Sequence, residues 1–118
     1  MSSLMNKEFI ILSKAKLLIN KIDDLLENVP RKDMFYKDKI KEYTLNLIDN
    51  IIHINNEYYN KDPILFNNIS SNLMMIDLLL ERLLVKKYIS EKSLIKVSNI
   101  LVEIRKMTIS WSKHIINE

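Results

Sequence analysis

A chain of 118 residues and 14.0 kDa, 47% apolar and 28% charged, holds enough material for one folded domain with a narrow core, 1–118, and too little for two. No apolar run approaches the roughly twenty residues of a membrane span, and the opening residues lack the basic, apolar and small-residue order of a secretory signal. Zero cysteines exclude disulfides, thiolate nucleophiles and Cys-type zinc sites, and the expected address is cytoplasmic.

The first periodic segment runs from about 4 to 28, with Ile11, Ala15, Leu18, Ile22, Leu25 and Val29 spaced by three and four, which is the spacing of a helix face. Val29-Pro30-Arg31-Lys32 interrupts it, because proline disfavours helix at the residue before it and lacks an amide to donate. The second segment, about 33–59, carries Ile40, Tyr43, Leu47, Ile51, Ile54 and Tyr58 in register. Asn60-Lys61-Asp62-Pro63 closes it, with Asp62 suited to cap free amides and Pro63 to begin the next helix.

The third segment, about 63–87, offers Leu65, Ile69, Leu73, Ile76, Leu80 and Leu83 as one face, and Met74, Met75, Leu78, Leu79, Leu84 and Val85 spread apolar surface further round the cylinder. A helix apolar on most sides must be buried on most sides, so self-association is expected. Ile48, Ile52, Met74, Met75, Leu78 and Leu79 are the expected contact residues. Ser90 caps the fourth segment, about 90–116, with Glu91 in the first turn where the helix dipole favours an acid. Leu94, Val97, Leu101, Ile104, Thr108, Trp111 and Ile115 keep a heptad, while Lys92, Lys96, Asn99, Glu103, Lys106, Ser110 and Lys113 take the opposite stripe. Four such segments joined by short links predict an all-α fold, an antiparallel up-down-up-down four-helix bundle.

Catalytic arrangements are hard to find in this frame. Neither His53 nor His114 follows a glutamate by three, as di-iron bundles require, and the His53 and Glu57 pair lacks further inward ligands, so no metal and no cofactor is expected. Glycine, needed to cradle phosphate, is absent, and Ser110, His114 and Asp49 come with no oxyanion site. Trp111 reads as core because it continues the heptad, Tyr58 and Tyr59 as the cover of a bundle end, and Met74 and Met75 as gap-fillers at a subunit contact. No enzymatic activity is expected of the chain alone.

Charge is the remaining signal. The net value is +3, with nine basic against nine acidic residues over 1–60 and nine against six over 61–118. Arg82, Lys86, Lys87, Lys92, Lys96, Arg105, Lys106 and Lys113 are opposed only by Glu91 and Glu103. Such a stretch can meet phosphates or an acidic protein surface, or be a solvated helix face.

The segment Val29-Pro30-Arg31-Lys32-Asp33-Met34-Phe35-Tyr36-Lys37-Asp38-Lys39-Ile40 resembles the Pro-Arg-x-x-x-Phe-x-x-x-x-Arg-Ile start of helix two in the accessory variability determinant (Avd) family. Ile89-Ser90-Glu91-Lys92, followed by Leu101-x-Glu103-Ile104-Arg105-Lys106-Met107 and Trp111-x-Lys113, is similar to that family's helix four. The chain carries Lys37, Arg105 and Ile109-Ser110 where members commonly carry glycine. The resemblance implies a four-helix bundle forming a homopentamer, basic surface for nucleic acid, and service as the partner of the reverse transcriptase in diversity-generating retroelements, handling template RNA or cDNA. Similar bundles accompany ribosomal-RNA intervening sequences and defence-associated reverse transcriptases. The alternative expectation is a structural protein-interaction module that binds no nucleic acid.

Overall fold

The structure, a computed structural model, describes residues 3–56 and 63–116, with side chains described for 10–54 and 63–113. Four helices follow one another: α1 (Ser3–Leu26), α2 (Met34–Asn56), α3 (Ile64–Val85) and α4 (Glu91–Ile116), with a short 3-10 turn at Arg31–Asp33 ahead of α2. Each helix packs on its two neighbours in the order α1, α2, α3, α4 and back to α1, and among the described residues no Cα atoms of the diagonal pairs come within 8 Å of each other. That is the expected antiparallel four-helix bundle, 47 × 22 × 17 Å. None of its described helices is long and apolar enough to cross a membrane.

The heptad positions build the core. Ile11, Ala15, Leu18, Ile22, Ile40, Leu47, Ile51, Ile69, Ile76, Leu80, Leu83, Ile104 and Trp111 are all fully or almost fully buried. Leu26, Phe66 and Ile100 join them from positions beside the expected stripes, whereas Tyr43 and Leu65 are only half-buried at the edge. Thr44 and Thr108 are buried without cost to hydrogen bonding, because each hydroxyl donates to the carbonyl one turn back, Ile40 at 2.7 Å and Ile104 at 2.8 Å. Trp111 meets Phe66 edge to face, with ring centroids 6.1 Å apart, which places the start of α3 beside the last turns of α4.

Local chemistry sets the helix ends. α1 stops where Pro30 takes an extended conformation, φ −72° and ψ 160°, and the 3-10 turn then leads into α2. Asn67 donates to the Pro63 carbonyl at 3.0 Å, so the hydrogen-bond ladder of α3 begins at the proline, as expected. Ser90 caps α4: its hydroxyl accepts from the Ser93 amide at 3.1 Å. Asp62, Tyr58, Tyr59, Glu57, His114 and Ile115, to which roles were assigned from sequence, lie outside the described side chains.

At its other end α3 closes with a Schellman motif: the Lys87 amide donates to Leu84 at 2.9 Å and the Tyr88 amide to Leu83 at 3.1 Å. This geometry puts Lys87 at φ 67°, a left-handed position that glycine usually fills and that a chain without glycine gives to a lysine.

Two sequence expectations need correction. Leu79, expected at a subunit contact, is buried in the core of its own bundle, since its helical position turns it inward beside Ile76 and Leu83. The fourth segment is not divided cleanly into core and polar stripes, because Ile95, Val102 and Ile109, each seven residues from the next, form a third stripe that is about half exposed.

Candidate nucleic-acid interface

One end of the bundle gathers the 3-10 turn, the first turn of α2, the last turn of α3 and the α3–α4 link. Its centre is Asp33. The Tyr88 hydroxyl donates to Asp33 Oδ2, and the Lys86 ammonium lies 3.5 Å from Asp33 Oδ1. The same ammonium sits 5.6 Å from the centroid of the Tyr36 ring, a cation–π distance, and the Phe35 ring meets Tyr36 edge to face at 5.6 Å. The result is a continuous array of Phe35, Tyr36, Lys86, Asp33 and Tyr88.

The array fixes protonation states. The Tyr88 hydroxyl bond, then the Lys86 and Lys32 charges, hold the Asp33 carboxyl below its ordinary 3.8 against the opposing effect of partial burial. The reciprocal hydrogen bond raises Tyr88 above its ordinary 10.0, with desolvation adding to it. Asp33 remains a carboxylate and Tyr88 a phenol at neutral pH, and that single negative charge holds Lys86 over the Tyr36 ring.

Around the array stand exposed cations: Arg31 and Lys32 on the 3-10 turn, Arg82 one turn before Lys86, and Lys87 immediately after it. Phe35 is 63% exposed, a large aromatic face at the same bundle end as these cations. Cations that meet phosphates beside a ring that can stack on a base are the two elements of sequence-tolerant single-strand binding. The opposite aromatic, Trp111, is 0% exposed and cannot stack on anything outside the core.

The cations named from sequence do not form one patch. Arg82, Lys86 and Lys87 converge at the end just described, and Lys92, exposed in the first turn of α4, lies near it. Lys96 lines a groove between α1 and α4 with Lys21 and Asp24, and Lys106 lines another stretch of the same side with Ile10 and Met107. Arg105 and Lys113 line the α3–α4 groove beside Phe66 and Ile109, towards the far end of the bundle. Arg31, Lys32 and Phe35 stand at the Asp33 end as well, and their signal in the sequence is the Arg-Lys and Phe-Tyr doublets within 29–40.

The expected oligomer residues also separate. Ile48 is half-buried against the core, and Ile52, exposed, lies one heptad from Leu45, which lines the α1–α2 groove. Met74 and Leu78 are exposed on α3, Met74 in the α3–α4 groove with Val102, and Met75 is half-buried. Comparison with protein-family models, curated proteins and solved structures returns no match to this chain.

Proposed function

We propose that this protein is a non-enzymatic accessory subunit that partners a reverse transcriptase of the diversity-generating retroelement type and holds template RNA or cDNA while the enzyme copies it. The observation that carries the nucleic-acid half of the reading is the exposed Phe35 ring at the same bundle end as Arg31, Lys32, Arg82, Lys86 and Lys87. The enzyme half rests on the Avd-like motifs at 29–40 and 89–113, the first of which supplies Arg31, Asp33, Phe35 and Tyr36 to this same end. Homo-oligomerisation through apolar helix surface belongs to the reading as well.

The test is fluorescence anisotropy with a labelled single-stranded RNA across a salt series. Four to five phosphate contacts give a log–log salt slope of about −3. Combined Arg82→Glu, Lys86→Glu and Lys87→Glu substitution abolishes binding, whereas Lys96→Glu with Lys106→Glu, on the α1–α4 side, leaves most of it. RNA affinity that the first set does not change would overturn the assignment. A purely protein-binding module is the second reading, favoured by the half-exposed Ile95, Val102 and Ile109 stripe; it predicts no RNA binding at moderate salt.

A further inference from the structure

Two exposed apolar surfaces lie on opposite sides of the bundle, one on the α1–α2 side and one on the α3–α4 side. On α2, Leu45 and Ile52 stand one heptad apart in an exposed ridge, with Lys41 a turn before Leu45 and Asp49 between the two. On the other side Met74, Leu78 and Val102 are exposed, and Asp77, Glu81 and Arg105 line the groove between α3 and α4. Both surfaces carry charge of each sign, in reversed order. From the Asp33 end upward the ridge runs from Lys41 to Asp49, base to acid, and the groove from Glu81 to Arg105, acid to base.

The heights of these residues match as well. Lys86 over the Tyr36 ring sets α3 against α2, and the 3.5 Å bond from Ser98 to Asp77 sets α4 against α3. Equal steps along the antiparallel α2 and α3 then bring Lys41 level with Glu81, and Leu45 level with Asp77 and Leu78. A further turn brings Asp49 level with Met74 and Val102, within one turn of Arg105.

We infer that the α2 ridge of one copy packs into the α3–α4 groove of the next, ridge into groove. Lys41 meets Asp77 and Glu81 of the next copy, Leu45 and Ile52 cover its Leu78, Met74 and Val102, and Asp49 faces its Arg105. The two patches differ and lie on opposite sides, so every copy keeps a ridge for one neighbour and a groove for the other, a heterologous contact. Because partner residues stand at equal height, successive copies sit side by side without a step along the bundle axis, which is the condition for closing a ring instead of winding a filament. Equal height also sets the Phe35 end of every copy on one rim, where a single strand can run from copy to copy. This contact presupposes the homo-oligomer of the proposed function and supplies its interface.

Cysteine crosslinking tests the contact, because the chain has no cysteine of its own. Light scattering of the full chain is expected to give a mass above twice 14.0 kDa. Leu45→Cys alone and Leu78→Cys alone, treated with a bis-maleimide spanning about 10 Å, the separation of packed helices, stay uncrosslinked, since neither patch meets itself. A co-refolded mixture of the two gives a covalent dimer and nothing larger, and a chain carrying both substitutions gives a ladder whose top rung counts the copies in the ring. Glu81→Lys sets like charges opposite each other and weakens assembly by roughly tenfold or more, and adding Lys41→Glu to the same chain restores it. All four positions are exposed in the single bundle, so loss of assembly is read on folded protein. An assembly of the expected mass whose mixed cysteine variants do not crosslink overturns the ridge-in-groove contact and leaves the oligomer standing. A mass of 14.0 kDa overturns both, and RNA anisotropy on the same sample reports the nucleic-acid reading separately.

Discussion

The Tyr88 hydroxyl donates to the Asp33 carboxylate across 55 positions of sequence, tying the α3–α4 link to the start of α2. That bond and the Lys86 ion pair are the polar clasp of one bundle end, and they set its pH dependence. Asp33 has a folded pKa below its unfolded value, so its contribution is fully present above about the ordinary 3.8 and disappears as pH falls through the folded value. Tyr88 has a folded pKa above its unfolded one, so its contribution is present below the ordinary 10.0 and disappears as pH rises beyond it. Thermal melts are expected to be flat between these limits and to fall outside them. Asp33→Asn removes both arms that the clasp contributes, because the Tyr88 shift comes chiefly from Asp33, and Tyr88→Phe removes the alkaline arm together with the largest part of the acid one, leaving what Lys86 and Lys32 hold; melts that keep both arms in the two variants would show that other groups set the profile.

Lys87 occupies the left-handed position of the Schellman motif at φ 67°. A side chain with a Cβ is disfavoured there by about 1 kcal/mol relative to glycine. Lys87→Gly is therefore expected to raise stability by up to about 1 kcal/mol in urea unfolding. The same substitution deletes a cation from the proposed phosphate surface. RNA affinity falls while stability rises, and Lys87→Gln, which removes the charge but keeps the conformational penalty, separates the two effects. Stability that drops in Lys87→Gly would mean that the lysine side chain holds the link by contacts of its own.

The sequence periods carried the architecture because a helix face is a local pattern. Ile11, Leu18, Ile22, Ile69, Ile76, Ile104 and Trp111 were legible as core from their neighbours three and four positions away. The clasp was not, since nothing near Asp33 in sequence points to Tyr88. The stripe of Ile95, Val102 and Ile109 was hidden for a different reason: Ile95 adjoins Leu94 and Val102 adjoins Leu101, so the core heptad masks a second heptad one position away. Leu79 was misplaced because a helix with apolar residues on several sides does not announce which of them face its own core.

Asn72 is buried on α3, and among the described residues its Nδ2 has no acceptor. A buried donor left without a partner costs about 1–3 kcal/mol. Asn72→Leu, of similar size and apolar, is expected to stabilise the bundle by about 1–2 kcal/mol, read as a higher urea midpoint at unchanged slope. A lower midpoint would indicate that Asn72 sets the pairing of α2 with α3 and that leucine permits a competing register.

Two aromatic residues from the Avd-like motifs are expected to behave oppositely when truncated. Trp111 is wholly enclosed and packed on Phe66, so Trp111→Ala leaves a cavity and costs about 3–5 kcal/mol, enough to unfold much of a marginal bundle. Phe35 is mostly in solvent and touches Tyr36 by its edge, so Phe35→Ala changes stability by no more than about 0.5 kcal/mol. Its effect falls on the ligand: losing one stacked base costs about 1–3 kcal/mol, a drop of roughly 5- to 150-fold in affinity for single-stranded RNA. Urea unfolding and anisotropy on the same two variants measure both quantities. An Phe35→Ala protein that binds RNA as tightly as the parent would leave the cations of this end acting as charge alone, without a stacking platform.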